Sequence, residues 1–251
     1  MTQPALLVNS LLPRVIESYR SGKVSDFTLA RYEEDARKIM QQSPPNGEMM
    51  MGMIAGLRHD AEAVNQHYQA AVALANDFVI HINFTNAFQY AYDYKSAKKA
   101  VEAALSTLNH SDPFDLKAVS SLAFAYGQID EAVDLQRKLA RIKGGEFDGG
   151  FLEMIQKLQA AAVPHLQDLL MVVYDVLSRH KLIATRHSLT RILLDGENAF
   201  FSEYVIYVME GSAAKLAQYQ QEADAALVAY EETHHLEPTP IGFRLARSVP
   251  A

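Results

Sequence analysis

The chain has 251 residues, is 49% hydrophobic and 21% charged, and contains no cysteine, which excludes disulfides, thiolate metal ligands and cysteine nucleophiles. Its formal charge of −7 lies mainly in the second half: residues 1–144 hold 15 Lys+Arg and 16 Asp+Glu, and the remaining residues hold 8 and 14. This acidic half argues against a protein that binds duplex nucleic acid, because neutralising phosphates needs many cations.

The amino terminus predicts no secretory signal. Residues 1–8 carry no basic residue ahead of a short apolar run, which Asn9 interrupts. No apolar stretch approaches the roughly 18 residues that a membrane span needs. We therefore expect a cytoplasmic protein with no membrane partner.

Apolar residues at helical spacing predict two helices at the start of the chain, over residues 4–21 and about 25–42. Prolines and a glycine within residues 43–47 are expected to stop the second helix. A third helix over 48–57 is rich in methionine and has Gly52 and Gly56 on one face. Methionines there have two interpretations, an adaptable ligand surface or core filler beside a close helix contact, and the glycine spacing favours the core.

Residues 60–143 repeat themselves. Three similar segments align on Ala63, Ala97 and Ala132, which are 34 and 35 residues apart. This period predicts stacked helical hairpins, each covering the apolar face of the next. The predicted pairs are 48–57 with 60–75, 78–92 with 94–108, and 113–126 with 128–142.

The segment from Ala123 to Val133 resembles a tetratricopeptide repeat. That pattern has an aromatic-rich end on the first helix, a turn glycine and an alanine five residues later, and Gly127 and Ala132 match it. Arg58 and Tyr92 stand at the turn position of the earlier hairpins, and the tryptophan and terminal proline of the motif are missing. The resemblance covers about residues 48–142, and related α-solenoids stay open.

The resemblance implies a binding groove lined by the first helix of each hairpin. The residues that it places there are Asn83, Asn86, Gln89, Lys117 and Ser121. Asn86 and Lys117 agree in type with the family's carboxylate-binding pattern, whose other basic positions are not matched. Amide side chains can pair with an extended peptide backbone, so the expected partner is a peptide or a protein.

A glycine-rich stretch, residues 144–150, predicts a hinge between two domains. A phosphate-binding loop is the alternative, but a helix precedes the stretch and no lysine follows closely. Basic clusters at 95–99 and 137–143 are interpreted as solvated helix faces rather than a phosphate track.

The spacing of apolar residues changes in the second half of the chain. Helices are predicted over 151–162, over 164–180 with Pro164 in the first turn, and for about 20 residues from Ser212. Runs of β-branched and aromatic residues predict strands at 188–194, 200–209 and 241–246, with a hairpin turn at 195–198. The predicted fold class is mainly α: an α-solenoid of tetratricopeptide-like hairpins (1–143), a glycine-rich hinge (144–150) and a small α+β domain of order ααββαβ (151–251).

Two groups of residues invite catalytic or metal interpretations. His234, His235 and Glu237 would need further converging ligands to bind zinc, and an exposed helix end is the favoured interpretation. The acids of the predicted hairpin, Asp195, Glu197 and Glu203, resemble a magnesium pair, yet Val205 stands where nucleases of this kind carry a lysine. No Gly-x-Ser-x-Gly elbow occurs. We therefore predict no cofactor, metal site or catalytic residue.

Two functional hypotheses follow. The first is a non-enzymatic adaptor or regulator that binds a peptide or partner protein through the concave face of the helical array. In it the α+β domain serves as an effector, a dimerisation surface or a second docking surface. A version that masks or neutralises its partner has the same sequence features. The second is a small enzyme or nucleotide-binding α+β domain to which the array delivers substrate. The visible repeat favours the first.

Overall fold

The computed structural model describes residues 4–142, 149–160, 163, 165–193, 200–237 and 241–248. Within them the chain is mainly helical, with a small three-stranded sheet near its carboxyl end. The helices are α1 (Pro4–Ser21), α2 (Asp26–Met40), α3 (Pro44–Leu57), α4 (Ala61–Leu74), α5 (Phe78–Tyr90), α6 (Tyr94–Thr107), α7 (Pro113–Ala125), α8 (Ile129–Arg141), α9 (Gly149–Ala160), α10 (Leu166–Arg179) and α11 (Ala213–Thr233). The strands are β1 (Ala184–Leu193), β2 (Phe200–Val208) and β3 (Ile241–Arg247). No helix in these residues is long and apolar enough to cross a membrane.

The chain groups into two compact units, residues 1–108 and residues 109–251. The hairpin α7–α8 therefore belongs to the same unit as the sheet. Residues 144–148 of the predicted hinge lie outside the described part, while Gly149 and Gly150 begin α9. The predicted boundary at 144–150 stays a prediction.

Helices in the first unit pack in successive pairs, as a helical-repeat array requires. Here α3 packs against α1, α2, α4 and α5, so it is buried nearly all round. It begins earlier than predicted, because Pro44 and Pro45, expected only to end α2, occupy its first turn, where a missing N–H costs nothing.

Two glycines set the approach of α5 to α3; a close helix contact at these glycines was predicted, but with the helix over 60–75 as the partner. A Cβ on Gly56 would lie 2.8 Å from the carbonyl oxygen and 2.9 Å from the Cα of Ala87, and a Cβ on Gly52 would overlap the ring of Phe84. Met49, Met50 and Met53 are fully buried beside them. The core interpretation of this methionine-rich helix is therefore confirmed.

The hairpin turns repeat at the level of single residues. His59, Tyr92 and Gly127 each have a positive φ, of 59°, 60° and 75°. In each turn the following N–H bonds the carbonyl oxygen five residues earlier, which satisfies the end of the first helix. His59 and Tyr92 adopt this backbone without glycine, and their rings stack with centroids 4.9 Å apart.

The turns correct the predicted alignment of the first hairpin by one residue. The left-handed residue is His59 rather than Arg58, so Val64, and not Ala63, is equivalent to Ala97 and Ala132. These three equivalent side chains are fully buried, whereas Ala63 is partly exposed. The slip arose because Ala63 and Val64 are both small enough to fit the pattern.

In the second unit, the order ααββαβ is confirmed for α9 to β3. β1 pairs antiparallel with β2, β2 pairs parallel with β3, and α11 connects the two parallel strands. β1 begins at Ala184, four residues before the predicted strand, and α10 begins at Leu166. Pro164 and the predicted turn at 195–198 lie outside the described residues.

Candidate functional site

Helix α5 carries three of the five predicted groove residues. Its amino end is fixed by Asp77, whose Oδ1 accepts a hydrogen bond of 3.1 Å from the N–H of Ile80. Phe84 and Phe88 anchor it, since both rings are fully buried and both contact Tyr68 on α4. Most of the helix is consequently enclosed.

Two of these predicted residues lie inside the first unit. Asn83 is 8% exposed, and its Nδ2 donates 2.9 Å to the carbonyl oxygen of Val79 and lies 3.4 Å from Met49 Sδ. Gln89 is likewise 8% exposed. Asn83 thus links α5 to α3, a role that a solvent-facing groove residue would not have.

Asn86, in contrast, is exposed. Its Nδ2 reaches only the carbonyl oxygen of Ile82 in its own helix, at a long 3.4 Å. Val79 and Ile82 precede it by seven and four residues, so the three share one helix face. Val79 is 50% exposed and Ile82 partly exposed. We call Val79, Ile82 and Asn86 the α5 strip.

Helix α7 in the second unit presents a matching face. Lys117 and Ser121 are both exposed, and Ser121 Oγ donates 3.2 Å to the carbonyl oxygen of Lys117. Phe114, three residues before Lys117, is 79% exposed. We call Phe114, Lys117 and Ser121 the α7 strip.

The two strips occupy equivalent positions of the repeat. Each member of the α7 strip follows its counterpart in the α5 strip by 35 residues, which is also the distance between the capping residues Asp77 and Asp112 and between the turn residues Tyr92 and Gly127. Both strips begin with an exposed apolar side chain and end with a short polar one. Val79 and Phe114 are absent from the predicted groove residues because only polar side chains were expected to line the groove.

A polar network joins α7 to the rest of the second unit. Tyr204 on β2 donates 2.7 Å to the carbonyl oxygen of Phe124, and Tyr174 on α10 donates 2.6 Å to that of Ala125. These carbonyls lie in the last turn of α7, where helical N–H donors run out, and that of Phe124 also accepts 3.0 Å from the N–H of Gly127 in the turn. The tyrosines therefore complete the end of this helix.

His187 on β1 extends the network. Because the Tyr174 hydroxyl gives its proton to a carbonyl, it must accept from the Nε2–H of His187, 2.8 Å away. Burial lowers the pKa of His187 to about 4, so the ring is neutral near pH 7. This histidine is a structural hydrogen-bond donor.

A cleft of about 510 Å³ lies in the second unit between the amino ends of α8 and α10 and the last turn of α9. Its acids are Asp130, Glu131 and Asp168, which lie in the first turns of those helices and offset the positive helix ends. Gln159 Nε2 donates 2.7 Å to Asp130. The polar groups of the cleft thus have structural roles.

The other predicted chemical groups are dispersed. Asp195 and Glu197 lie outside the described residues, and Glu203 accepts 2.7 Å from Arg244 Nε across the sheet. His234 stacks on Tyr230 and bonds its carbonyl oxygen. Within the described ranges, no three His, Asp or Glu side chains converge as metal ligands would.

Comparison with known proteins identifies no similar protein. The chain matches no family model, no curated protein and no solved structure.

Proposed function

We propose that the protein is a non-enzymatic adaptor or regulator that binds a peptide or partner protein through the concave face of a tetratricopeptide-like array. The observation that carries this proposal is the recurrence of one exposed face, as the α5 strip and the α7 strip, at the same positions of two hairpins. A single exposed apolar residue needs no explanation. Two at equivalent positions of two hairpins, one in each unit, support the proposal.

The chemistry of the strips suits an extended peptide. Val79 and Phe114 supply exposed apolar anchors, and phenylalanine is among the residues enriched at protein interfaces. The amide of Asn86 offers a donor and an acceptor to a peptide backbone, and Lys117 adds a preference for an acidic group. Asn83 and Gln89, which are buried, position α5 rather than touch the partner.

The test is affinity purification with matched variants. Phe114→Ala, Asn86→Ala and Lys117→Ala are combined in a strip variant. The control variant combines Asn65→Ala and Lys99→Ala, which are exposed on the second helices α4 and α6. A partner captured from the native host by the wild-type chain and by the control is then purified, and its affinity is measured by calorimetry.

We expect the strip variant to bind that partner roughly tenfold or more weakly, each factor of ten being about 1.4 kcal/mol. Its thermal stability should stay close to wild type, because the three side chains are exposed. Undiminished affinity in the strip variant, or equal loss in the control, would refute the proposal.

The cleft of the second unit favours a second candidate, a small enzyme or nucleotide-binding domain with the array delivering substrate. It is large enough for a small molecule, and Leu158 and Leu166 give it an apolar wall. Its three first-turn acids would repel the phosphates of a nucleotide. A nucleotide panel that raises the melting temperature of wild-type protein, but not of a Leu158→Arg variant, would establish this alternative.

A further inference from the structure

The two edges of the sheet in the second unit differ in how they are closed. On β3, the amide of Gln220 donates 2.7 Å to the carbonyl oxygen of Phe243 and accepts 2.7 Å from the N–H of Leu245. One side chain thereby takes the place of a neighbouring strand. Since α11, which carries Gln220, also packs along β3, this edge is closed to pairing.

Among the described residues, no side chain closes the edge of β1 in this way. β1 spans ten residues, and in the part of the chain that the structure describes it pairs only with β2. Between residues 185 and 193, no backbone group of the described chain outside the sheet bonds it. Helix α10 contacts this strand from one face of the sheet, where Tyr174 meets His187, and the end of α7 lies on that face, where it meets Tyr204. Neither of these side-chain contacts uses the backbone edge of β1.

Charge sets β1 apart from the unit that carries it. Residues 109–251 hold 13 Lys+Arg and 19 Asp+Glu, whereas β1 has Arg186 and Arg191 and no acid. Arg186 is exposed, and its guanidinium lies over the ring of Tyr207 at 5.7 Å. A strand pairing with β1 would meet a positive edge on an otherwise acidic surface.

Ser188 lies two residues from Arg186 on the same face of β1. Its Oγ is buried and has no hydrogen-bond partner in the described chain. The side chain of Val205, its neighbour on β2, offers no acceptor. A carboxylate carried by an added strand is the kind of acceptor that this hydroxyl lacks.

We infer that the β1 edge binds an extended segment of a partner protein by strand addition, and that this segment alternates acidic with apolar residues. Its backbone pairs with β1, its acids face Arg186 and Ser188, and its apolar residues lie on the face that carries His187 and Tyr204. The peptide's main chain supplies affinity, and the alternation supplies selectivity. This site involves the second unit alone and is independent of the strips on α5 and α7.

The test uses a fluorescently labelled peptide of alternating valine and glutamate and measures anisotropy with the full chain. A valine-lysine peptide tests charge, and a valine-glutamate peptide with methylated backbone nitrogens tests strand pairing. Arg186→Glu is the site variant. Arg247→Glu is its matched control, because Arg247 is exposed on β3, whose edge is closed by Gln220.

We expect the valine-glutamate peptide to bind best and the methylated peptide to lose binding. Arg186→Glu should weaken the acidic peptide roughly tenfold, since it replaces an attraction by a repulsion of similar size. The same variant should gain affinity for the valine-lysine peptide, a gain that misfolding would not produce. Arg247→Glu should leave both affinities near wild type.

Three results would overturn the inference. The first is that the valine-glutamate peptide binds wild-type protein no better than the valine-lysine peptide. The second is that the methylated peptide binds as well as its parent. The third is a dimer, detected by sedimentation, that excludes the valine-glutamate peptide, which would assign the edge to a second copy of the chain.

Discussion

The hairpins α5–α6 and α7–α8 are alike locally and unlike in what holds them. Asp77 and Asp112 cap their first helices, and Tyr92 and Gly127 form their turns with the same left-handed backbone. Yet α5 is held by backbone contact with α3 at Gly56, while the end of α7 is held by tyrosine hydroxyls from β2 and α10. The same hairpin is therefore stabilised by helix packing in one unit and by hydrogen-bonded caps in the other.

This difference separates the local sequence signals that form a hairpin from the long-range contacts that cover it. Helix caps, turns and apolar periodicity depend on neighbouring residues, so both hairpins have the same caps and turns. The element that covers each hairpin depends on side chains far along the chain, such as Tyr204, which lies 80 residues beyond its partner Phe124. Breaking one kind of contact should therefore affect one unit and leave the hairpin geometry of the other intact.

The largest expected effect concerns the predicted hinge. If a protease site is placed within residues 144–150 and cut, we expect the two fragments to remain associated during native size-exclusion chromatography. Tyr174 and Tyr204 still bond the end of α7 after the cut. The double variant Tyr174→Phe with Tyr204→Phe should separate more readily, because the buried carbonyl oxygens of Phe124 and Ala125 then lose the tyrosine hydroxyls that bond them across the cut. Immediate separation of the wild-type fragments would instead support independent domains divided at 144–150.

The next effect concerns the glycine contact in the first unit. Gly56→Val should lower the free energy of unfolding of this unit by about 3 kcal/mol, since overpacking a backbone contact cannot be relieved by turning a side chain. Denaturant unfolding measures the loss. Ala73→Val, exposed on α4, is the control and should change it by less than about 1 kcal/mol. A tolerated Gly56→Val would show that α3 and α5 do not touch as described.

The smallest effect is the response of the second unit to acid. The pKa of His187 is about 4 when folded and near the ordinary 6.5 when unfolded, so the unfolded chain binds the extra proton between those values. Stability should fall as the pH drops from about 6.5 to about 4. Partial exposure of His187 limits its share to roughly 2 kcal/mol. His187→Gln should flatten this slope in unfolding titrations, and His234→Gln, which changes an exposed residue, should not.

Much of the architecture could be predicted because it depends on local signals. Helix pairs follow from apolar spacing, and Asp112-Pro113 starts α7 as a cap and first turn. The prolines at 44 and 45 misled the prediction, since proline both ends a helix and suits the first turn of the next. Whether such a proline ends one helix or begins the next depends on its position relative to the helix ends.

The candidate site was only partly predictable. Asn83, Asn86 and Gln89 look alike in sequence, yet only Asn86 is exposed, because the approach of α3 buries Asn83 against Met49. The exposed Phe114 could have been found by comparing apolar as well as polar positions of α5 and α7, which the spacing of 35 residues between Ala97 and Ala132 already aligns. No local pattern could have paired Gln220 with the edge of β3, since that contact depends on how α11 packs.

The most direct test of the proposed function is site-specific photo-crosslinking in the native host. A photoreactive amino acid is placed in turn at Val79 and Phe114 on the strips, and at Asn65 and Lys99 on the second helices. We expect positions 79 and 114 to crosslink to the same partner and positions 65 and 99 not to do so. Crosslinking of that partner at 65 and 99 but not at 79 and 114 would contradict the proposed function.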